Sequence, residues 1–214
     1  CRRAFVARSF SDDDLAAIDA EAAKHPTAAD PATYRLKFSD PDPNGKPLTS
    51  PEMLQSGDLH VYETQHFAFW YGNGTTTDYD FARTIARQGR TMEQVLRETG
   101  AWFERVWTMN RDVLGAPMPF ATSDDKQKLN IYLCGTGRPN SNGTDKDDCG
   151  ASAGKEMGVS AWALANGSKV IAHEFGHVIQ AWSGGFSQTF EIWETGAEWS
   201  LYTISPGSAA LAWY

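Results

Sequence analysis

The alternation of apolar and polar residues predicts three strand regions ahead of a helical C-terminal part. Residues 59–71 are dense in aromatic and β-branched side chains, so they are expected to supply one or two core strands. Residues 128–134 alternate between polar and apolar positions, which is the pattern of a half-buried strand. Residues 158–164 predict a further short strand, which the turn residues Asn166 and Gly167 close.

Helical periodicity separates these strands and dominates the end of the chain. Residues 77–88 and 91–114 carry apolar side chains at helical spacing. Thr91 and Gln94 match a capping box at the start of the second of these helices. Three aspartates at positions 12–14 suit the positive N-terminal end of a helix, which favours a short additional helix at residues 15–24.

These elements predict one α+β unit over residues 1–214, without internal repeats. Residues 1–58 form an N-terminal extension with loops in this organisation. Residues 59–183 form a mixed sheet with packing helices and a metal-binding helix, and residues 184–214 form a short helical part.

The stretch from residue 170 to residue 179 combines helical spacing with the side chains of a metal site, and the glycine pair Gly184-Gly185 predicts where its helix ends. On a helix, His173 and His177 lie one turn apart and about 40° apart around the axis, so both imidazoles can face one ion. Glu174 then stands beside the ion, free to act as a base. Apolar residues fill the rest of the helix surface and predict its burial: Val170, Ile171, Phe175, Val178, Ile179 and Trp182.

A catalytic zinc site needs a third protein ligand and leaves its fourth position to water. Gln180 and Ser183 stand where a metzincin would have its glycine and third histidine, so that branch is excluded. A helical pattern that begins near Gln188 instead carries three glutamates, and helical spacing alone does not separate them as ligands: Glu191, Glu194 and Glu198.

The segment Glu194-Thr-Gly-Ala-Glu198, downstream of His173-Glu174-Phe-Gly-His177, resembles the signature of gluzincin metallopeptidases over about residues 159–202. The resemblance implies a zincin-like fold and one catalytic Zn²⁺ held by His173, His177 and Glu194. It implies that Glu198 orients a ligand histidine and that Glu174 activates water for peptide-bond hydrolysis.

Two features depart from familiar gluzincins. The connection from His177 to Glu194 is short, and the sequence ends twelve residues after Tyr202. We therefore expect a longer parent polypeptide, a second chain that completes the cleft, or a minimal enzyme with an open cleft. Tyr202 is interpreted as a core or rim tyrosine rather than a catalytic one.

The strand predicted at residues 158–164 precedes the metal-binding helix directly. Such a strand is expected at the sheet edge beside the site, where its free backbone groups can pair with an extended peptide. A protein or peptide is therefore the predicted substrate.

Composition limits the partners of this protein. Its 214 residues are 41% hydrophobic and carry a net charge of −8 without a dense basic cluster, which argues against nucleic acid and anionic membranes. No run of eighteen apolar residues occurs, so no membrane span is expected. The start at Cys1 lacks an apolar leader, and we expect that any signal peptide has been removed.

Cysteines and sequons favour export from the cell. Cys134 and Cys149 bracket a polar loop that a disulfide would close, which points to an oxidising compartment. Asn-x-Ser/Thr sequons at Asn73, Asn142 and Asn166 are compatible with secretion. The odd cysteine, Cys1, leaves three alternatives open: a partner outside this chain, the lipid of a cell-surface or periplasmic lipoprotein, and a free thiol.

Two other groups of residues could bind a metal but are better explained by ordinary structural roles. Asp40, Asp42 and Asn44 copy the start of a Ca²⁺-binding loop, but the closing acid is displaced, so an ordinary solvated turn is preferred. His60 and His66 lie in the first strand region and are interpreted as hydrogen-bonded histidines rather than ligands.

These observations predict a secreted zinc metallopeptidase. The alternative is a non-catalytic extracellular binding or adhesion domain that keeps zinc for structure, which the eight tryptophans and the short C-terminal part favour. Zinc-dependent hydrolysis of a non-peptide amide would use the same chemistry with a different pocket shape.

Overall fold

The computed structural model describes residues 34–39, 48–120, 125–140, 143–146, 152–153, 155–168, 170–184 and 194–197, with Ala16 and Ala20, which are helical. Several predictions fall outside these residues: the rest of the helix at 15–24, the calcium-like loop at Asp40, Asp42 and Asn44, and the residues Cys149, Glu191, Glu198 and Tyr202. The disulfide between Cys134 and Cys149 therefore stays a prediction.

The described elements combine a mixed sheet with several helices, which agrees with the predicted α+β class. The helices are α1 (Pro51–Ser56), α2 (Asp80–Arg87), α3 (Met92–Thr108), α4 (Ala161–Ala165) and α5 (Val170–Trp182). The strands are β1 (Leu59–Glu63), β2 (Phe67–Gly72), β3 (Leu129–Leu133), β4 (Pro139–Asn140), β5 (Gly143–Thr144), β6 (Ser152–Ala153) and β7 (Met157–Val159).

Five of these strands form one mixed sheet in the order β1-β2-β3-β7-β6. β1 pairs antiparallel with β2, as expected for two strands in the aromatic segment, and β2, β3 and β7 run parallel. β6 closes the described sheet antiparallel to β7. β4 and β5 form a separate two-stranded ribbon.

The strand predicted at residues 128–134 is confirmed as β3, but its predicted half-burial was wrong, because every residue of β3 is buried. β3 lies between two parallel neighbours, and both faces of the sheet are covered. Ile131 faces the main core with the helices. Asn130 and Tyr132 face the opposite side, where the side chains that cover the sheet are Leu36, Phe38, Leu48, Met53 and Leu54.

Helices α2, α3 and α5 contribute to the main core on one face of the sheet. The capping box at the start of α3 is formed by Thr91 and Gln94 as predicted. α3 continues into a π-helical turn, Met109–Val113, and Gly115 follows with a φ of 61°. None of the helices within the described part of the chain is long and apolar enough to cross a membrane.

The strand predicted at residues 158–164 was wrong in extent and in position. β7 ends at Val159, and residues 161–165 form α4 instead. β7 is an interior strand, since it pairs with β3 on one side and β6 on the other. Within the described sheet, the two-residue strand β6 is therefore the edge next to α5.

Gly72 at the end of β2 is predicted to be intolerant of any side chain. A Cβ at this position would lie 2.1 Å from the backbone nitrogen of Arg138 and the carbonyl carbon of Gly137. Gly72→Ala should therefore cost more than about 3 kcal/mol of unfolding free energy, because backbone rather than a flexible side chain must move.

Gly57→Ala is the matched control for urea unfolding of the Gly72 variant. Gly57 has a φ of 77°, and a Cβ added there would have no heavy atom within 4 Å, so alanine costs only the roughly 1–2 kcal/mol of a left-handed residue. A smaller loss for Gly72→Ala than for Gly57→Ala would contradict the close approach of the two backbones.

Candidate metal centre

The two histidines of the candidate centre lie on one face of α5, as the sequence predicted. His173 is 8% exposed and His177 is 4% exposed. Their ring centroids are 4.8 Å apart, and the ring planes are perpendicular. Ala172, Phe175 and Val178 on the same helix are buried in the main core, which fixes the direction of the histidine face.

Glu194 brings a carboxylate to both rings. Its Oε2 atom lies 3.1 Å from Nε2 of His173, and its Oε1 atom lies 3.4 Å from Nε2 of His177. Residues 194–197 are helical, as the pattern predicted. Of the three glutamates that the spacing left open, Glu194 is the one that the described structure brings to the histidines.

The donor atoms of His173, His177 and Glu194 fit a single metal ion. Potential ligand atoms of the three residues lie within 4.8 Å of one another. Two imidazoles and one carboxylate are a ligand set found in catalytic zinc sites. Burial and the nearby His177 lower the pKa of His173, although Glu194 opposes the shift, so the neutral imidazole that binds metals is favoured.

Glu174 lies next to this cluster but contributes no atom to it. Burial first, and the negative charge of Glu194 second, raise the pKa of Glu174 to about 7. A carboxyl group with such a pKa can take up and release a proton near neutral pH. The arrangement therefore places a group with acid–base capability beside three candidate ligands.

Gln180 supports the centre and was not identified as a site residue from the sequence. Its Oε1 atom lies 2.9 Å from Nδ1 of His177. Because an amide oxygen only accepts hydrogen bonds, this contact places a proton on Nδ1 and leaves Nε2 as the ligand atom that faces Glu194. The spacing of three residues from His177 to Gln180 on one helix face was the available signal.

Gly196, in the helical segment of Glu194, leaves space for the side-chain amide of Gln180 on α5. A Cβ at Gly196 would lie 2.2 Å from Nε2 of Gln180. The glycine in the Glu194-Thr-Gly-Ala segment thus makes room for the amide that orients His177. Sequence reasoning used this segment for its acids and overlooked the glycine.

The other two histidines of the strand region are held apart from the centre. Nδ1 of His66 lies 2.5 Å from Oε2 of Glu104, and the His66 ring stacks on Trp107 with centroids 4.3 Å apart. His60 stacks on Tyr71 with centroids 5.3 Å apart. Both contacts agree with the structural reading of these residues.

The fold and the centre define the class of this protein as an α+β protein with a His-His-Glu cluster suited to a metal ion. The chain belongs to DUF6055, a family of unknown function, which matches residues 32–213. It matches no curated protein and no solved structure.

Proposed function

We propose that this protein is a secreted zinc metallopeptidase of the gluzincin type with a zincin-like catalytic domain. The observation that carries the proposal is the convergence of His173, His177 and Glu194 on one point, with Glu174 beside them. His-Glu-x-x-His on a buried helix and a carboxylate from a later helix form the ligand pattern of this class.

The residues of the chain have distinct roles in this proposal. His173, His177 and Glu194 would hold Zn²⁺, and Gln180 fixes the ring of His177. When bound, zinc would supply a water whose pKa is lowered to about 7 and would polarise the carbonyl group of a substrate. Glu174, next to the ligand His173, would accept a proton from the attacking water and return it to the leaving amine.

Secretion completes the proposal. The bridge predicted between Cys134 and Cys149 would persist only in an oxidising compartment. The acidic net charge of −8 suits a protein substrate better than nucleic acid or an anionic membrane.

The proposal is tested by measuring bound zinc and the hydrolysis of an unfolded protein such as reduced casein. We expect about one zinc per chain, hydrolysis that stops when a chelator removes the metal, and recovery when zinc is added back. One tightly bound zinc without hydrolysis would favour the alternative of a binding domain that keeps zinc for structure. Hydrolysis that survives complete metal removal would rule out the zinc mechanism.

A further inference from the structure

One side chain of α5 contacts both chain segments that carry candidate ligands. The Nδ1–H of His177 donates to the Oε1 atom of Gln180 at 2.9 Å. The Nε2 atom at the other side of the same amide lies against Gly196, where an added Cβ would be 2.2 Å away. Gly196 follows Glu194 by two residues in the same helical segment. A single amide group therefore touches one ligand directly and the segment of another.

The contacts of these residues form a closed ring around the candidate centre. The Oε1 atom of Glu194 lies 3.4 Å from Nε2 of His177, and the other nitrogen of that imidazole faces Gln180. Gln180 in turn lies against the segment that carries Glu194. The direction of the His177 ring and the position of the Glu194 segment are therefore linked through one amide.

The absence of a side chain at Gly196 gives this amide its place. Outside its own helical segment, a Cβ at Gly196 would meet two described heavy atoms within 4 Å, Nε2 and Cδ of Gln180, at 2.2 Å and 3.4 Å. Both atoms belong to one half-buried, flexible side chain, so a methyl group here would displace the amide rather than the backbone. A displaced amide loses its bond to His177, because hydrogen bonds weaken steeply with distance and misalignment.

The bond to Gln180 matters for metal binding because it decides which ring nitrogen of His177 is free. With the proton on Nδ1, Nε2 presents its lone pair on the side where Glu194 lies. A ring that turns, or that carries its proton on Nε2, presents an N–H group instead, and an N–H group binds no metal. Losing the amide should therefore lower metal affinity although no ligand is removed.

We propose that Gln180 is a positioning residue that couples His177 to the Glu194 segment, and that glycine at position 196 is required for this coupling. Metal affinity then depends on residue 196, which supplies no ligand atom. This inference rests on the metal centre of the proposed function and not on peptide hydrolysis.

A double-mutant cycle on zinc affinity tests the coupling. Competition with a chromogenic chelator is measured for the wild type, Gly196→Ala, Gln180→Ala and the variant that carries both changes. Each single change should weaken zinc binding by about 10- to 100-fold. The double variant should bind no more weakly than Gln180→Ala, because the added methyl group then has no amide to displace.

Gly89→Ala is the matched control for Gly196→Ala. It adds the same methyl group at a position where no heavy atom lies within 4 Å, so zinc affinity should stay that of the wild type.

Nitrogen-15 NMR of the imidazoles separates positioning from a purely structural role. In the zinc-bound wild type, His177 should show a slowly exchanging proton on Nδ1 and a metal-bound Nε2. Gly196→Ala and Gln180→Ala should both lose the slow exchange of this proton while their circular dichroism stays that of the wild type. A purely structural role would lower the stability of both variants and leave this signal unchanged, which would overturn the proposal.

Wild-type zinc affinity in Gly196→Ala, or losses that add in the double variant, would overturn the coupling and leave the metal centre standing. If the wild type binds no zinc, the metal centre fails, and the same NMR comparison on the metal-free chains decides the coupling alone. Loss of the Nδ1–H signal of His177 in Gly196→Ala would then support the coupling. An identical signal in the wild type and Gly196→Ala would overturn it.

Discussion

Replacing Glu174 with Gln is expected to lower kcat for peptide hydrolysis by about 10²- to 10⁴-fold, the usual contribution of a positioned general base. Burial and the charge of Glu194 raise the pKa of Glu174 to about 7 in the metal-free site, and its position next to the ligand His173 would place its carboxylate beside the attacking water. Glutamine keeps the size of the side chain but cannot accept that proton.

Measuring bound zinc shows whether Glu174→Gln loses activity because the base is gone or because the metal is no longer bound. Glu174 lies outside the cluster of candidate ligand atoms, so Glu174→Gln should still bind one zinc per chain with unchanged affinity. The matched control is Glu98→Gln, since Glu98 is 59% exposed and pairs with Arg90 away from the centre. Equal turnover by the wild type and Glu174→Gln at equal zinc content would exclude the proposed role.

Sequence patterns predicted the parts of the fold that depend on interactions between residues close together in the chain. The capping box of α3 needs only Thr91 and Gln94, three residues apart, and it forms as expected. The aromatic segment forms β1 and β2, because large β-branched and aromatic side chains suit a buried sheet. These features could be predicted without knowing what packs on them.

The errors arose where distant residues decide burial. Asn130 and Tyr132 look like solvent-facing positions of β3, but their polar atoms bond to Trp70 and Glu156 on the face that residues 36–38 and 48–54 cover. No local pattern reveals such a cover. Residues 158–164 likewise form a short apolar run that suits a strand or a helix, and pairing with β3 and β6 limits the strand to β7.

The sequence predicted both histidines of the candidate centre, but it did not determine which glutamate supplies the carboxylate. His173 and His177 follow from spacing on one helix, whereas the choice among three glutamates depends on how a second helical segment approaches the first. Gly196 leaves room at that contact for the amide of Gln180, which a Cβ would displace. The contact joins residues on two separate elements, so single-helix periodicity could not disclose it.

Replacing Glu194 with Gln is expected to weaken zinc binding more than the loss of a residue that only orients a metal ligand would. Losing such an orienting residue typically lowers metal affinity by roughly 10- to 100-fold. The two carboxylate oxygens of Glu194 lie 3.1 Å and 3.4 Å from the histidine Nε2 atoms, so its amide replacement removes the only negative charge of the donor set. Zinc affinity measured by competition with a chromogenic chelator gives the ratio directly.

Glu191→Gln and Glu198→Gln are the matched comparisons, because each removes one carboxylate from the same stretch of sequence. Glu191→Gln should leave zinc affinity unchanged. Glu198→Gln should weaken it by about 10- to 100-fold if Glu198 orients a ligand histidine. A greater loss in either of these variants than in Glu194→Gln would move the third ligand to that residue, since losing a direct ligand costs more than losing its support.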